Sequence, residues 1–231
     1  MHSCLSPCSE NDITPANIAN MAALAGLRII AVSDHNTCGN CAAVMTAARV
    51  AGITAVPAME LTTCEEVHVL CLLPSLSAAD GFSDYVRARL PDIPNDPQIF
   101  GKQLLMDDTD RVTGEEPRML VGATSIGIYD VAALVREFGG VALPAHIDRP
   151  SFSITSNLGF LDEAMGFTAA EITRNADRDT LFAMNPALGG MVTVTNSDAH
   201  SLEMIRDAEF SMELPEPTAE CVIEYLRAAK A

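Results

Sequence analysis

Three apolar runs in this chain end in the same way. RIIAVSDH (28–35), GGVALPAH (139–146) and MVTVTNSDAH (191–200) each lead a short strand-forming stretch into a histidine, with Asp34, Asp148 or Asp198 no more than two positions away. A run of this kind that stops on polar, chemically capable residues is what the carboxyl end of a strand in a parallel α/β domain looks like. That end is the face on which such folds assemble their sites. The stretches between the runs have helical spacing. Residues 14–26 carry Thr14 before Pro15, then Ile18, Met21, Ala22 and Ala25, and stop at Gly26. Further helices are expected over 40–51, 83–90, 129–138 and 218–229. Strands are expected over 28–32, 53–57, 67–73, 141–144, 168–172, 191–195 and 209–213. The alternation predicts an α/β domain with a mostly parallel sheet, open or closed into a barrel. Residues 76–122, rich in proline and ending in an acidic turn between two short apolar runs, break the rhythm. They read as an insertion or cap, with a hairpin, within a single domain spanning 1–231.

The chain has five histidines, His2, His35, His68, His146 and His200. One histidine at a strand end is ordinarily a hydrogen-bonded structural residue. Here three share that position, each beside an aspartate, and a fourth, His68, is returned to the same neighbourhood by the stretch AVPAMELTTCEEVHVLCLL (55–73). Its first strand ends near Glu60, and the following turn is too short for a helical crossover, so the two strands form a hairpin that brings His68 back toward Glu60. Imidazole with carboxylate is a ligand set for Zn, Mn or Fe, and a carboxylate can bridge two ions with its two oxygens.

Composition narrows the field. Fourteen Lys and Arg against 31 Asp and Glu leave a net charge of -17, so neither duplex nucleic acid nor an anionic membrane is an expected partner. No apolar run is long enough to cross a bilayer. The beginning MHSCLSPCSE has no secretory pattern, which makes the cytoplasm the expected compartment. Seven cysteines at scattered positions suit a reducing environment. Cys38 and Cys41 form a C-x-x-C with no second pair and read as the start of a helix, and Cys71 reads as a small core residue. There is no phosphate-binding glycine loop and no nucleophilic serine elbow, which leaves metal-activated water as the nucleophile.

In order along the chain, HSCLSPC (2–8), SDHN (33–36), AMELTT (58–63), EVHVLCL (66–72), PAHIDRP (144–150) and SDAH (197–200) resemble the successive motifs of the polymerase and histidinol phosphatase (PHP) family, in its metal-dependent phosphoesterase branch. The resemblance implies a distorted, TIM-like β/α barrel of about seven strands. It also implies two or three divalent ions (Mn, Fe or Zn) at the carboxyl ends of those strands, and hydrolysis of phosphate esters. Carried over by position, His2, Glu60 and Asp198 hold the first metal, and Glu60 bridges to the second with His68 and His146. His35 and His200 hold a third, with Cys8 at the place where a further ligand is expected. Asp34 is another candidate ligand, and both it and Asp148 can instead orient a histidine or cap a turn. Glu60, His146 and Asp198 are the residues expected at the chemistry, and Arg149 and Arg174 are candidates to hold the phosphoryl group. The family pattern opens with H-x-H, and His2 matches its second histidine. Only Met1 precedes it, so the expectation is that the native polypeptide begins upstream, restoring the first histidine and the first strand. The expected substrate is a small phosphorylated metabolite or short nucleotide. The alternatives are an amidohydrolase-like metal hydrolase and a non-catalytic binding domain of the same fold.

Overall fold

The computed structural model describes residues 1–208 and 210–228. Eight strands and seven α-helices follow one another as α1 (Pro15–Leu24), β1 (Ile29–Val32), α2 (Cys41–Val50), β2 (Thr54–Thr62), β3 (His68–Leu72), α3 (Leu76–Arg87), β4 (Leu104–Met106), β5 (Val112–Glu115), α4 (Ile128–Glu137), β6 (Val141–Pro144), α5 (Ile154–Asn157), β7 (Ala169–Glu171), α6 (Arg178–Met184), β8 (Val192–Val194) and α7 (Ala219–Arg227). The β1, β2, β3 and β6 strands form one sheet in that order, and β7 pairs with β8. Ile147 N–H donates to the Glu171 carbonyl at 2.9 Å and joins the two sheets. The six strands therefore make one curved wall, with helices α2 and α4 packed on it through Val44, Ala48, Val131 and Val135.

The expectation of a mostly parallel sheet is corrected. β1 with β2 and β7 with β8 are parallel, whereas β3 runs antiparallel to both β2 and β6. The reason is the one that predicts the hairpin: five residues separate β2 from β3, too few for a crossover, so the direction reverses and Thr62 comes to face His68. The wall is distorted and TIM-like, and it is not a closed barrel. β1 and β8 are its outer strands, and between them, on the site side, lie Met1 and His2. Ser33 N–H donates to the Met1 carbonyl at 2.9 Å and His2 N–H donates to the Ala199 carbonyl at 2.8 Å. Behind this bridge is a largely apolar groove of about 470 Å³ lined in part by Leu70, Leu72, Leu143, Val194, Met212 and Leu226.

The strand expected over 209–213 is not formed in its described part. Residues 210–213 join no ladder, and Glu209 lies outside the described residues. Phe210 and Met212 instead lay their side chains against the cluster that holds β8 and α7. The alternation that suggests a strand is here a loop with one apolar side. The helix expected over 83–90 begins at Leu76, where Ser75 accepts a bond from Ala78 N–H at 3.3 Å. Gly81 inside the helix hides its first half in the sequence. α6 has no counterpart among the expected elements and starts at Asp177, which accepts from Thr180 N–H. α3 is part of the main core through Ala79, Phe82 and Val86.

The β4–β5 hairpin is tied to α1 by Asp110, which accepts from Thr14 Oγ1 at 2.6 Å and from Ala16 N–H at 2.8 Å. The helix start is therefore capped from a distant turn, while Thr14 itself makes no side-chain cap. The turn from α4 into β6 requires glycine twice. Gly139 has φ +75°, and a Cβ on Gly140 would stand 2.3 Å from the Leu72 carbonyl oxygen.

Candidate metal centre

Glu60 lies near the end of β2, buried, with four imidazoles around its carboxylate. His2 Nε2 is 3.0 Å away, His68 Nδ1 3.3 Å, His146 Nε2 3.4 Å and His35 Nδ1 3.6 Å. Each arrives from a different element. His2 comes from the N-terminal residues, His35 from the end of β1, His68 from the start of β3 and His146 from the end of β6. The rings form a chain, with centroids 4.3 Å apart for His2 and His200, 4.6 Å for His2 and His35, 5.0 Å for His35 and His68, and 5.5 Å for His68 and His146. Asp198 closes the cluster, with Oδ1 3.2 Å from His2 Nε2 and Oδ2 2.7 Å from Arg149. Three overlapping sets have ligand atoms close enough to share an ion: His2, His35 and His200; His35, Glu60 and His68; His2, Glu60 and Asp198.

The electrostatics follow from packing acids and imidazoles together out of water. Burial opposes the charge on Glu60, but His68, His146 and His2 outweigh it and hold the carboxyl well below its usual range. Burial likewise opposes a charged His2, and its bonds to Asp198 and Glu60 overcome this and push it up to about 9. His35 is driven well below its usual value by burial and by its neighbour His2, and burial and His2 also lower His200. Burial opposes a charged His146 too, and Glu60 raises it. Asp198, despite burial, is held low by the bond to His2.

Two buried ring nitrogens, His35 Nδ1 and His146 Nδ1, have no hydrogen-bond partner. A buried polar atom without a partner is costly; His35 Nδ1 is the nitrogen that faces Glu60, so an ion bound there removes its cost, whereas His146 faces Glu60 through Nε2 and its unpartnered Nδ1 is the other ring nitrogen. Imidazoles and carboxylates within ion-sharing distance fit divalent cations of the Mn, Fe and Zn kind. Backbone strain is concentrated here as well. Among the described residues six non-glycine positions have positive φ, and four of them, Asn36 (53°), His146 (29°), Phe152 (53°) and Asp198 (46°), are in or beside the site.

The structure brings together His2, His35, Glu60, His68, His146, Asp198 and His200 of the expected ligands. It turns Asp34 away: its carboxylate accepts from Ser3 N–H at 2.7 Å, Ser3 Oγ at 2.6 Å and Ser6 Oγ at 2.7 Å. Asp34 thereby shapes the loop that presents His2, whose Nδ1 is itself 3.1 Å from Ser6 Oγ. Cys8 is exposed and stands outside the three sets. Partial loss of water around its sulfur, with the charges of Glu60, Asp34 and Asp198, nevertheless pushes the thiol up to about 12. Asp148 accepts from Thr173 N–H at 2.8 Å and from the Thr173 hydroxyl, fixing the loop after His146. Arg149 reaches the site, while Arg174 is exposed on the turn after β7.

Sequence reasoning misses Glu171. It is buried at the end of β7, accepts from His146 N–H at 3.1 Å, and is raised by burial and by Asp198. The only signal was a carboxylate closing the strand AAE, with no histidine to mark it.

No protein-family model matches the sequence, and no curated protein matches it either. Several solved structures share its fold. The lesion-specific endonuclease Q of Pyrococcus furiosus is 20% identical, with a TM-score of 0.70 over 98% of this chain and 54% of that one. This chain thus spans about half the length of the endonuclease. A Bifidobacterium adolescentis protein assigned as a metal-dependent phosphoesterase is 18% identical, with a TM-score of 0.63 over 100% and 95% of the two chains. A Chromobacterium violaceum amidohydrolase is 16% identical, with a TM-score of 0.60 over 99% and 95%. The fold is the one these endonuclease, phosphoesterase and amidohydrolase structures share, and this chain carries on it a His and Glu cluster suited to divalent metal.

One expectation is overturned by these likenesses. The charge of -17 excluded duplex nucleic acid as a partner, yet endonuclease Q, whose fold this chain shares at a TM-score of 0.68, is seen in complex with a 27-mer duplex carrying an abasic lesion at the active site. Net charge sums the whole surface, whereas binding depends on the local field, to which bound cations contribute most. Among the described residues no helix is long and apolar enough to cross a membrane.

Proposed function

We propose that this chain is a metal-dependent phosphoesterase that hydrolyses a phosphate ester of a small metabolite or a nucleotide, polynucleotide phosphodiesters included, with metal-activated water as nucleophile. The observation that carries this reading is the buried Glu60 carboxylate with four imidazoles 3.0 to 3.6 Å away, among them His35, whose Nδ1 facing that carboxylate has no hydrogen-bond partner. Bound divalent ions at such a centre supply hydroxide near neutral pH and neutralise the phosphoryl and leaving oxygens.

The chain's residues divide the remaining work. His2, Glu60 and Asp198 are assigned to one ion, Glu60, His68 and His146 to a second, and His35 with His200 to a third. Cys8 is retained as a candidate ligand to the third, because a nearby cation lowers a thiol's pKa and reverses the effect of the surrounding acids. Asp34 is assigned to positioning, through Ser3 and Ser6, of the loop that carries His2. Glu60, His146 and Asp198 are assigned to the chemistry. Arg149, held at Asp198 by a 2.7 Å ion pair, offers a planar fork suited to phosphoryl oxygens, and Arg174 is the second candidate for that role.

Hydrolysis of 4-nitrophenyl phosphate by the Mn²⁺-loaded protein tests the reading. Arg149→Ala is expected to lower kcat/KM about 10- to 100-fold, the worth of one hydrogen bond to a charged group, with bound metal retained. No release of 4-nitrophenol from this monoester or from the diester bis(4-nitrophenyl) phosphate at full metal loading defeats the proposal. The shared fold of an amidohydrolase favours a second reading, hydrolysis of a carboxamide at the same centre. Turnover of carboxamides in the absence of any turnover of phosphate esters would establish it.

A further inference from the structure

One loop, residues 146–153, carries three functional groups at intervals of three: His146 in the cluster, Arg149 at its edge and Phe152 at its mouth. The Phe152 ring stacks on the His68 imidazole, with centroids 4.8 Å apart and planes 18° from parallel. His68 Nδ1 is in turn 3.3 Å from Glu60, so the ring lies one imidazole away from the central carboxylate. Phe152 is nevertheless 43% exposed, and its backbone is held at φ +53°, a conformation that bulky residues rarely adopt.

The loop is fixed in this arrangement at both ends. His68 N–H donates to the Phe152 carbonyl at 3.0 Å, and Arg149 N–H donates to the His146 carbonyl at 2.9 Å. Ser153 Oγ donates to the Arg149 carbonyl at 2.7 Å and opens the capping box of α5. Asp148 anchors the near side through Thr173. A cover for His68 needs neither the strain nor the exposure. An aromatic surface held beside a phosphate-binding arginine, itself 39% exposed at its side chain, meets a different need. Nucleobases stack on such rings regardless of sequence, with a sizeable gain in binding.

We propose that Phe152 is a specificity-determining residue, a stacking platform that selects phosphate esters bearing a flat aromatic base next to the phosphoryl group, so that nucleotides and unpaired nucleotide ends are preferred over sugar phosphates. The proposal rests on the phosphoesterase reading above and names its substrate class.

The test compares thymidine 5′-phosphate with 2-deoxyribose 5-phosphate, two primary alkyl esters that differ at C1, where one carries the base and the other a hydroxyl. It uses the Mn²⁺-loaded parent and Phe152→Leu, which keeps an apolar cover over His68 and removes the π face. The parent is expected to favour thymidine 5′-phosphate, and in Phe152→Leu the ratio of the two kcat/KM values is expected to fall about tenfold. Metal per chain, measured in parallel, is expected to stay unchanged. Calorimetric affinities for the same two compounds give the ratio without turnover. A protein that binds both but hydrolyses neither would end the phosphomonoesterase reading, and the affinity ratio would still decide the platform. A ratio that is the same in parent and variant, or a parent that binds neither compound, overturns the platform.

Discussion

Glu60→Gln removes the one charge that every part of the cluster faces. The substitution keeps the shape, and its amide can still meet the imidazoles at 3.0 to 3.6 Å, so the fold is expected to survive. The cost falls on metal. A unit charge pair at about 4 Å in an effective dielectric of about 20 is worth about 4 kcal/mol, and twice that for a divalent ion. Desolvation of the buried carboxylate gives back several kcal/mol. About 3 kcal/mol remains, which is roughly a hundredfold in dissociation constant. Metal per chain after dialysis reads this directly. The melting temperature reads it independently. At a free concentration of 100 Kd, metal adds about 2.7 kcal/mol, which for a chain of this length is about 5–10 °C in Tm. The parent should show that shift with Mn²⁺, and Glu60→Gln at the same concentration should show almost none. Equal metal content and equal shifts in the two proteins would refute the placement of Glu60 at the heart of the site.

Three other outcomes are expected. Asp34→Asn weakens an acceptor of three short bonds from Ser3 and Ser6 and should cost about 2–4 kcal/mol in urea unfolding; an unchanged midpoint would mean that Asp34 does not hold the His2 loop. Asp110→Ala frees the start of α1, where Thr14 Oγ1 and Ala16 N–H lose their acceptor, and should cost about 1–2 kcal/mol by the same assay while leaving bound metal unaffected. In the metal-free protein His2 sits at about 9, above its ordinary 6.5. Its ion pairs therefore add stability that is complete below pH 6.5 and is lost as pH rises toward 9. The melting temperature of the metal-free form should fall across that window, and a flat profile would show that His2 is not protonated there.

Much of the site was legible because its chemistry lies at strand ends. His35, His146 and Asp198 follow apolar runs, and the short link between Glu60 and His68 could only be a hairpin, now seen with Thr62 facing His68. Asp34 was misleading for a local reason. It adjoins His35 in sequence, but neighbours at the end of a strand point in opposite directions, and its carboxylate turns to Ser3 and Ser6. Glu171 gave almost no signal, since its partners are the backbone of His146 and the field of Asp198, both remote in sequence. Phe152 carries no signal in the sequence, because the His68 ring on which it stacks lies far away along the chain.

The sequence by itself determined most of the elements and the ligand types, since periodicity, caps and residue chemistry act within a few positions. It could also set the direction of β3, because a five-residue link leaves no other choice. Only the tertiary structure decided that the wall stays open between β1 and β8, that Asp110 from a distant hairpin caps α1, and that Arg149 and Phe152 flank one cluster. Those outcomes depend on contacts between residues tens to hundreds of positions apart, and such contacts are settled by packing the whole chain at once.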